Sequence, residues 1–290
     1  MSTPTNSAVR HDIVWLFDIT DGNPNGDPDA GNRPRVDPET SHGLMTDVSL
    51  KRKIRDTIQL VAGERPGYDI FVTAGTALNA RLERSYAENN LALDGAKRTK
   101  DVAAARDWLC RTYFDIRMFG AVLSTGKTSA LGQIRGPLQV SFARTRDPVT
   151  PTEHTITRVA HTTAADAEKQ GGTMGNKWTV PYGLFRATLS YSANRGATTG
   201  VTDTDLQLLY RCLINLFDHT SSAARPTMSS RGLYVFTHDD AFGRAPMHTL
   251  TERVTCTLKN STTPPRAFAD YTVTVDSNDL PEGVTLNTLL

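Results

Sequence analysis

Sulfur, aromatic rings and net charge are all scarce in this chain. Only 3 of its 290 residues are cysteine. Cys110, Cys212 and Cys256 form no CxxC pair, so neither a disulfide framework nor a zinc ribbon is supported. Each sits in an apolar periodic run, where a buried thiol is expected, and so sparse a set fits a reducing cytoplasm. Aromatic residues make up 7% of the chain, which leaves little for stacking on nucleic-acid bases. The 32 basic residues face 31 acidic ones, for a net charge of +1, so any nucleic-acid surface must come from local clustering. No apolar run is long enough to span a membrane, and the polar start MSTPTNSAVRHD carries no signal region; a soluble, cytoplasmic protein without a membrane partner is expected. The seven histidines (His11, His42, His154, His161, His219, His238 and His248) show no HExxH or paired ligand spacing. There is no GxSxG and no nucleophilic cysteine context, so neither a metal nor a cofactor is expected. No repeat of solenoid period occurs.

What is present is concentrated between Asp18 and Arg55. A hydrophobic strand runs into a long loop rich in Gly, Pro, Asn and Asp, and a helix opens after it. Between Asp18 and Asn32 there are four acids and no base; between Arg33 and Arg55 there are six bases against Asp37, Glu39 and Asp47. Loops this long are usually functional or disordered, and turn chemistry at almost every step predicts a defined path here. Cations at a helix start, beside outward-pointing N–H groups, are a physical recipe for holding phosphate.

Alternation predicts the entering strand over Ile13–Ile19, covered on both faces. Thr46 and Gly63 bound the first helix as N-cap and C′ residue, with Leu50, Ile54, Ile58 and Val61 as its buried stripe. At about 100° per residue Lys51 and Arg55 share a flank of that stripe and Arg52 points away from it. Two helical patterns follow, near Ala77–Leu91 and Lys100–Tyr113. Leu138, Val140 and Phe142 alternate as a strand. Residues 145–178 read as a protruding hairpin or arm, and Thr179–Tyr191 returns to strand. Thr202–Asp205 is close to a capping box before a helix with Leu206, Leu209, Leu213 and Leu216 on one face. Leu233–Thr237, Val254–Leu258 and Tyr271–Val275 are further strands. Without its insertions the order is strand, helix, strand, strand, helix, strand. The fold expected is therefore α+β: one ferredoxin-like (RRM-like) βαββαβ domain over residues 1–290, with a helical insertion at 64–120 and an arm at 145–178.

Three motifs fail on their own chemistry. Gly120–Thr128 ends in GKT but has five residues between its glycines where a phosphate loop needs four, and Gly132, Gly136 and Pro137 leave no room for the required helix. Asp21–Asn32 begins like a calcium loop but has Asn32 where a bidentate Glu belongs. Arg231–Phe236 echoes an RNA-recognition strand without its key aromatic and small positions, so its aromatics are expected in the core. What remains is a set of basic residues in loops that abut strands: Arg33, Arg35, the Lys51–Arg55 cluster, Arg135, Lys177, Arg225 and Arg231. Their Gly and Ser neighbours would let a sugar-phosphate backbone approach closely.

Five runs, DGNPNGDPDAGNRPRVDPET, TDVSLKRKIRD, FGAVLSTG with GQIRGPLQVSFAR, VPYGLFRA and SAARPTMSSRGLYVF, together resemble the Cas-seven backbone subunit of CRISPR Cascade complexes, in its type I-C (Csd2-like) branch. The resemblance implies a hand-shaped protein: the core as palm, residues 64–120 as fingers and the arm at 145–178 as thumb. It implies a non-catalytic subunit of an antiviral ribonucleoprotein, with copies stacked head to tail in a helical filament along a CRISPR guide RNA (crRNA) that pairs with the target DNA strand. It also implies Cas-five-like, Cas-eight-like and small Cascade subunits as partners. The RNA contacts it implies, added to those read from charge, are Arg33, Arg35, Lys51, Arg52, Arg55, Gln133, Arg135, Met174, Lys177, Arg225, Ser229 and Arg231. The rival reading is a ferredoxin-like endoribonuclease using His42 with a Lys, or a loop aspartate such as Asp27 or Asp29, to cut RNA.

Overall fold

The structure is a computed structural model that describes residues 3–91, 99–123, 131–158 and 173–290. In chain order its elements begin with β1 (His11–Gly22), the two-residue β2 (Gly26–Asp27) and β3 (Arg33–Pro34), and β4 (His42–Met45). The helices α1 (Asp47–Ala62), α2 (Leu78–Ala87), α3 (Thr99–Thr112) and α4 (Phe114–Phe119) follow. Next come β5 (Gly120–Val122), β6 (Gln133–Arg135), β7 (Leu138–Val140), β8 (Ala143–Pro148), β9 (Thr152–Arg158) and the long β10 (Thr173–Tyr191). The chain ends with α5 (Ala193–Thr199), α6 (Asp203–His219), β11 (Thr227–His238), α7 (Met247–Thr251), β12 (Val254–Leu258), β13 (Tyr271–Val275) and β14 (Val284–Thr288).

β1 lies at the centre of the main antiparallel sheet, between β10 and β11, in the order β14-β11-β1-β10-β8-β4. Its alternation explains the position. Ile13, Trp15, Phe17 and Ile19 face one way, Val14 and Leu16 the other, and all are inaccessible. Large apolar side chains gain about 1.5–3 kcal/mol each on full burial, so a strand apolar on both faces needs a layer on each. α1 and α6 supply one layer, through Leu50, Ile54, Ile58, Leu206, Leu209, Leu213 and Leu216. The β12–β13 hairpin and α7 supply the other. On the helix side Trp15, Phe17, Phe185 and Phe217 pack ring on ring, and the Trp15 indole donates to Ser230 Oγ at 3.2 Å. A smaller apolar cluster joins Phe71, Leu82, Tyr86, Leu109 and Tyr113 from the helical region to Leu131 and Ile134.

Local chemistry ends the helices as their sequences predict. The Thr46 hydroxyl accepts from Ser49 N–H, and Gly63 closes α1 at φ 58°. Thr202 and Asp205 form a full capping box on α6. Asp205 also takes a two-pronged ion pair from Arg117, at 2.8 and 3.0 Å, which ties α4 to the start of α6.

The structure departs from expectation in several places. The Gly/Pro loop is not strand-free: β2 and β3 pair, and β4 extends the sheet along β8. The expected strand through Phe142 breaks between β7 and β8, leaving Phe142 50% exposed. Residue 145 falls inside β8, and the hairpin proper is β9 with the first part of β10. β10 continues from that hairpin into the sheet without interruption, so the projection is held by a central strand. Residues 159–172 of the expected arm, with His161, and the GKT with Lys127 lie outside the described residues.

The FG and RGP runs are explained by close backbone crossing. Gly120, at φ +73°, passes directly over Gly136, and a β-carbon on either would overlap the other segment's main chain. Gly136→Ala is expected to destabilise the fold by about 3 kcal/mol or more in urea unfolding. A second expectation concerns pH. His11 is fully buried between Asn6 O and Thr237 Oγ1, and burial holds its pKa down to about 4. The unfolded chain therefore takes up a proton first as pH falls, and stability drops by up to about 3 kcal/mol between roughly pH 6.5 and 4. His11→Gln flattens the stability profile across that window.

Candidate nucleic-acid interface

The loop leaving β1 is built by its asparagines. Asn23 N–H donates to Ala224 O, and its side-chain amide to Asn32 O, both at 2.7 Å. This fastens the exit of β1 to the loop between α6 and β11. Asn25 Oδ1 accepts from Thr46 N–H at 2.9 Å and from its hydroxyl at 3.1 Å, so the loop also positions the cap of α1. Arg35 pairs with Asp27 at 3.2 Å, and the Arg33 guanidinium lies over the Trp178 ring at the base of the β9–β10 hairpin.

The helix start differs from the expected phosphate seat. Its first turn is capped by Thr46 and carries Asp47, which pairs with Lys51 at 3.0 Å, so the positive end of α1 is already matched. Arg52 is exposed and pairs with Asp56. Arg55 donates to Asp115 Oδ2 at 2.8 Å, and the Asp115 carboxylate, 1% exposed, also accepts from Phe71 and Val72 N–H. That ion pair braces α1 against the helical region.

Lys53 is the residue that sequence reasoning passed over. It is 6% exposed, and its ammonium donates only a long bond, 3.4 Å, to Thr220 Oγ1. Burial, reinforced by the nearby Arg225 cation, lowers its pKa to about 8. Neither cation has a carboxylate at ion-pair distance among the described residues; Asp56, the nearest helper to Lys53, is engaged with Arg52. Arg225 Nε and Asn23 Oδ1 are both buried without a hydrogen-bond partner among the described residues. Asn23 is fastened to Ala224, so these orphaned groups belong to one neighbourhood. The buried Lys53 ammonium and the half-buried Arg225 guanidinium thus leave N–H donors without an acidic partner among the described residues, which is the chemistry an anion would satisfy; the Asn23 oxygen, an acceptor, calls instead for a donor. The signal was present in the sequence: Lys53 stands at i+3 from Leu50 and i−4 from Thr57, within the buried stripe.

The other expected contacts are dispersed. Arg231 donates to Asp18 Oδ2 at 2.8 Å and lies over the Phe268 ring. Asp18 also accepts from Tyr182 OH, and burial raises its pKa despite the arginine. This group belongs to the face under the β12–β13 hairpin, so the sheet separates Arg231 from α1. Ser229 pairs with Asp18 in the β1–β11 ladder. Met174, 75% exposed, and Lys177 stand on the β9–β10 hairpin. Gln133 and Arg135 lie on β6, in a cavity with Arg106 and Arg195. His42 Nδ1 donates to Thr145 O at 2.7 Å. His238 Nδ1 accepts from Arg244 N–H, so its Nε2 donates to Asp12, at 3.0 Å, in a fully buried pair.

The architecture defines the class first. This is a mixed α/β protein with a large antiparallel sheet, and it shares its fold with a chain of a solved "CRISPR RNA-guided surveillance complex, pre-nicking", at TM-score 0.53 and 14% identity over 79% of this chain and 78% of that one. Residues 9–276 match the family of CRISPR-associated protein Cas7, and the chain belongs to that family. It is also 26% identical over 241 residues to a CRISPR-associated protein Cas7 of Haloferax volcanii, covering 78% of this chain and 69% of that protein.

A buried lysine with so few partners should cost the protein stability. Lys53→Met is expected to stabilise the free protein by about 1–3 kcal/mol at pH 7, because it removes a buried charge. Wild-type stability should rise between about pH 8 and 10.5, where the unfolded chain holds the Lys53 proton that the fold rejects, and the Met variant should lose that rise. Arg55→Ala, which strands Asp115, should cost about 3 kcal/mol or more, against less than about 0.5 for Arg52→Ala. Urea titrations compare all three.

Proposed function

We propose that this chain is the non-catalytic, guide-RNA-binding backbone subunit of a type I-C Cascade complex. Membership of the Cas7 family supports the reading, and the single observation that carries it is the burial of Lys53 beside Arg225 with no carboxylate at ion-pair distance of either among the described residues. Like charges held together in a low-dielectric site call for an anion, and a phosphate of a polynucleotide supplies one without reading its bases. The exposed Arg33, which lies over Trp178 at the base of the β9–β10 hairpin, and Lys177 on that hairpin add further cations for the backbone. In this reading the sheet is a ferredoxin-like palm, which the neighbour order β11-β1-β10-β8 with α1 and α6 on one face supports. Residues 64–120 are its fingers and 145–178 its thumb. Copies stack head to tail along the guide, which pairs with the target DNA strand, and Cas-five-like, Cas-eight-like and small subunits complete the particle. Sequence is then read by base pairing between nucleic acids. The burial and full engagement of His11 and His238 support a subunit without acid–base chemistry at that pair.

The test is copurification with a CRISPR array and the neighbouring subunits. Wild-type chain should retain intact RNA of uniform length in a large particle. Lys53→Met with Arg225→Met should weaken retention at least tenfold, equally for unrelated guide sequences, with a salt slope shallower by about 0.7 for each phosphate no longer neutralised. RNA binding holds the Lys53 proton on, so wild-type affinity should fall as pH rises above about 8, and Lys53→Arg should abolish that fall. A chain that cuts repeat RNA when purified alone would overturn the reading in favour of an endoribonuclease.

A further inference from the structure

Two sets of uncompensated charge stand at opposite ends of β1. At its His11 end the strand pairs with Tyr191, and α5 begins two residues beyond. There Arg106 of α3, Arg135 of β6 and Arg195 of α5 converge on a cavity of about 530 Å³ with Gln133 and Thr198. Arg106 spends its Nε–H on Leu131 O at 2.6 Å. Arg135 and Arg195 are exposed and have no side-chain partner among the described residues. Asp107 also lines the cavity but makes an ion pair with none of the three. Three guanidiniums from three separate elements repel one another unless something acidic joins them.

At the Gly22 end the loop carries the opposite sign. Asp27 and Asp37 are taken up by Arg35 and Arg144, but Asp21, Asp29 and Glu39 are exposed and unpaired among the described residues. Twelve residues of strand separate the two ends, roughly 35 Å at about 3.3 Å per residue. The two sets cannot reach each other within one molecule. A complementary pair of patches at opposite ends of one chain fits a head-to-tail contact, which propagates without closing.

We propose that the Arg106–Arg135–Arg195 cavity receives the loop carboxylates Asp29 and Glu39 of a second copy of this chain. The proposal deepens the assembly reading of the preceding subsection and gives Arg135 a protein partner in place of RNA. Charge at such a contact sets register and encounter rate, and like charges placed there are strongly unfavourable.

Two charge-reversed chains test it, R135E/R195E and D29K/E39K, each with substitutions at exposed positions. Each should bind a guide fragment short enough for a single copy within about twofold of wild type. Each alone should assemble at least tenfold more weakly on a long guide at low salt, read by light scattering. Mixed in equal amounts they should assemble like wild type, since every contact in an alternating array again joins opposite charges. If R135E/R195E loses the short fragment, the cavity holds RNA phosphate and the proposal is wrong. Unchanged assembly by either reversed chain alone, or no recovery on mixing, would also overturn it. Should the wild-type chain bind no RNA of any length, the backbone reading fails by itself. The contact is then decided without RNA at high protein concentration, where association of the mixed reversed chains, absent from either alone, upholds it and no association rejects it.

Discussion

Double burial of β1 constrains everything else in this protein. The strand is paired along both edges and covered on both faces, so no group in its middle can meet a ligand. Its one charged residue there, Asp18, is occupied by Arg231 and Tyr182. A register shift between Leu16 and Phe17 opposite β11 leaves Arg231 as the extra residue that turns toward it. Chemistry is thereby pushed to the strand's ends. At the Gly22 end Asn23 fastens the loop to Ala224 and draws Arg225 toward Lys53; at the His11 end the turn into α5 brings Arg195 toward Arg135.

The balance of charge then separates support from function. Several cations here have a carboxylate beside them: Arg55 with Asp115, Arg117 with Asp205, Arg231 with Asp18, Lys51 with Asp47. Buried pairs of this kind hold elements in place, and breaking one leaves a stranded charge. A net charge of +1 only counts 32 bases against 31 acids and says nothing about where uncompensated charge gathers. Lys53 with Arg225, and Arg135 with Arg195, are cations collected without such compensation. Burying Lys53 beside Arg225 is costly for an isolated chain, whereas the exposed Arg135 and Arg195 repel each other only through screening solvent.

Much of the fold was legible because its causes are local. Thr46 and Gly63 bounding α1, the Thr202–Asp205 box, the leucine stripe of α6 and the alternation in β1, β12 and β13 each act within about four residues, the reach of a cap or a helical turn. Phe142 misled because alternation across a short apolar run cannot show where one strand stops and the next begins, and Lys53 because its charge outweighed its place in the stripe. Which arginine was free could not be read at all. Arg55 finds its carboxylate 60 residues away, Arg117 88 away and Arg231 213 away. Local pattern was enough for α1, α2, α3 and α6, for the central strand and for the family resemblance, but not for the short α4, α5 and α7. Which cations are struts was settled by the packed fold, because an ion pair depends on which distant segments the sheet brings within 3 Å of each other.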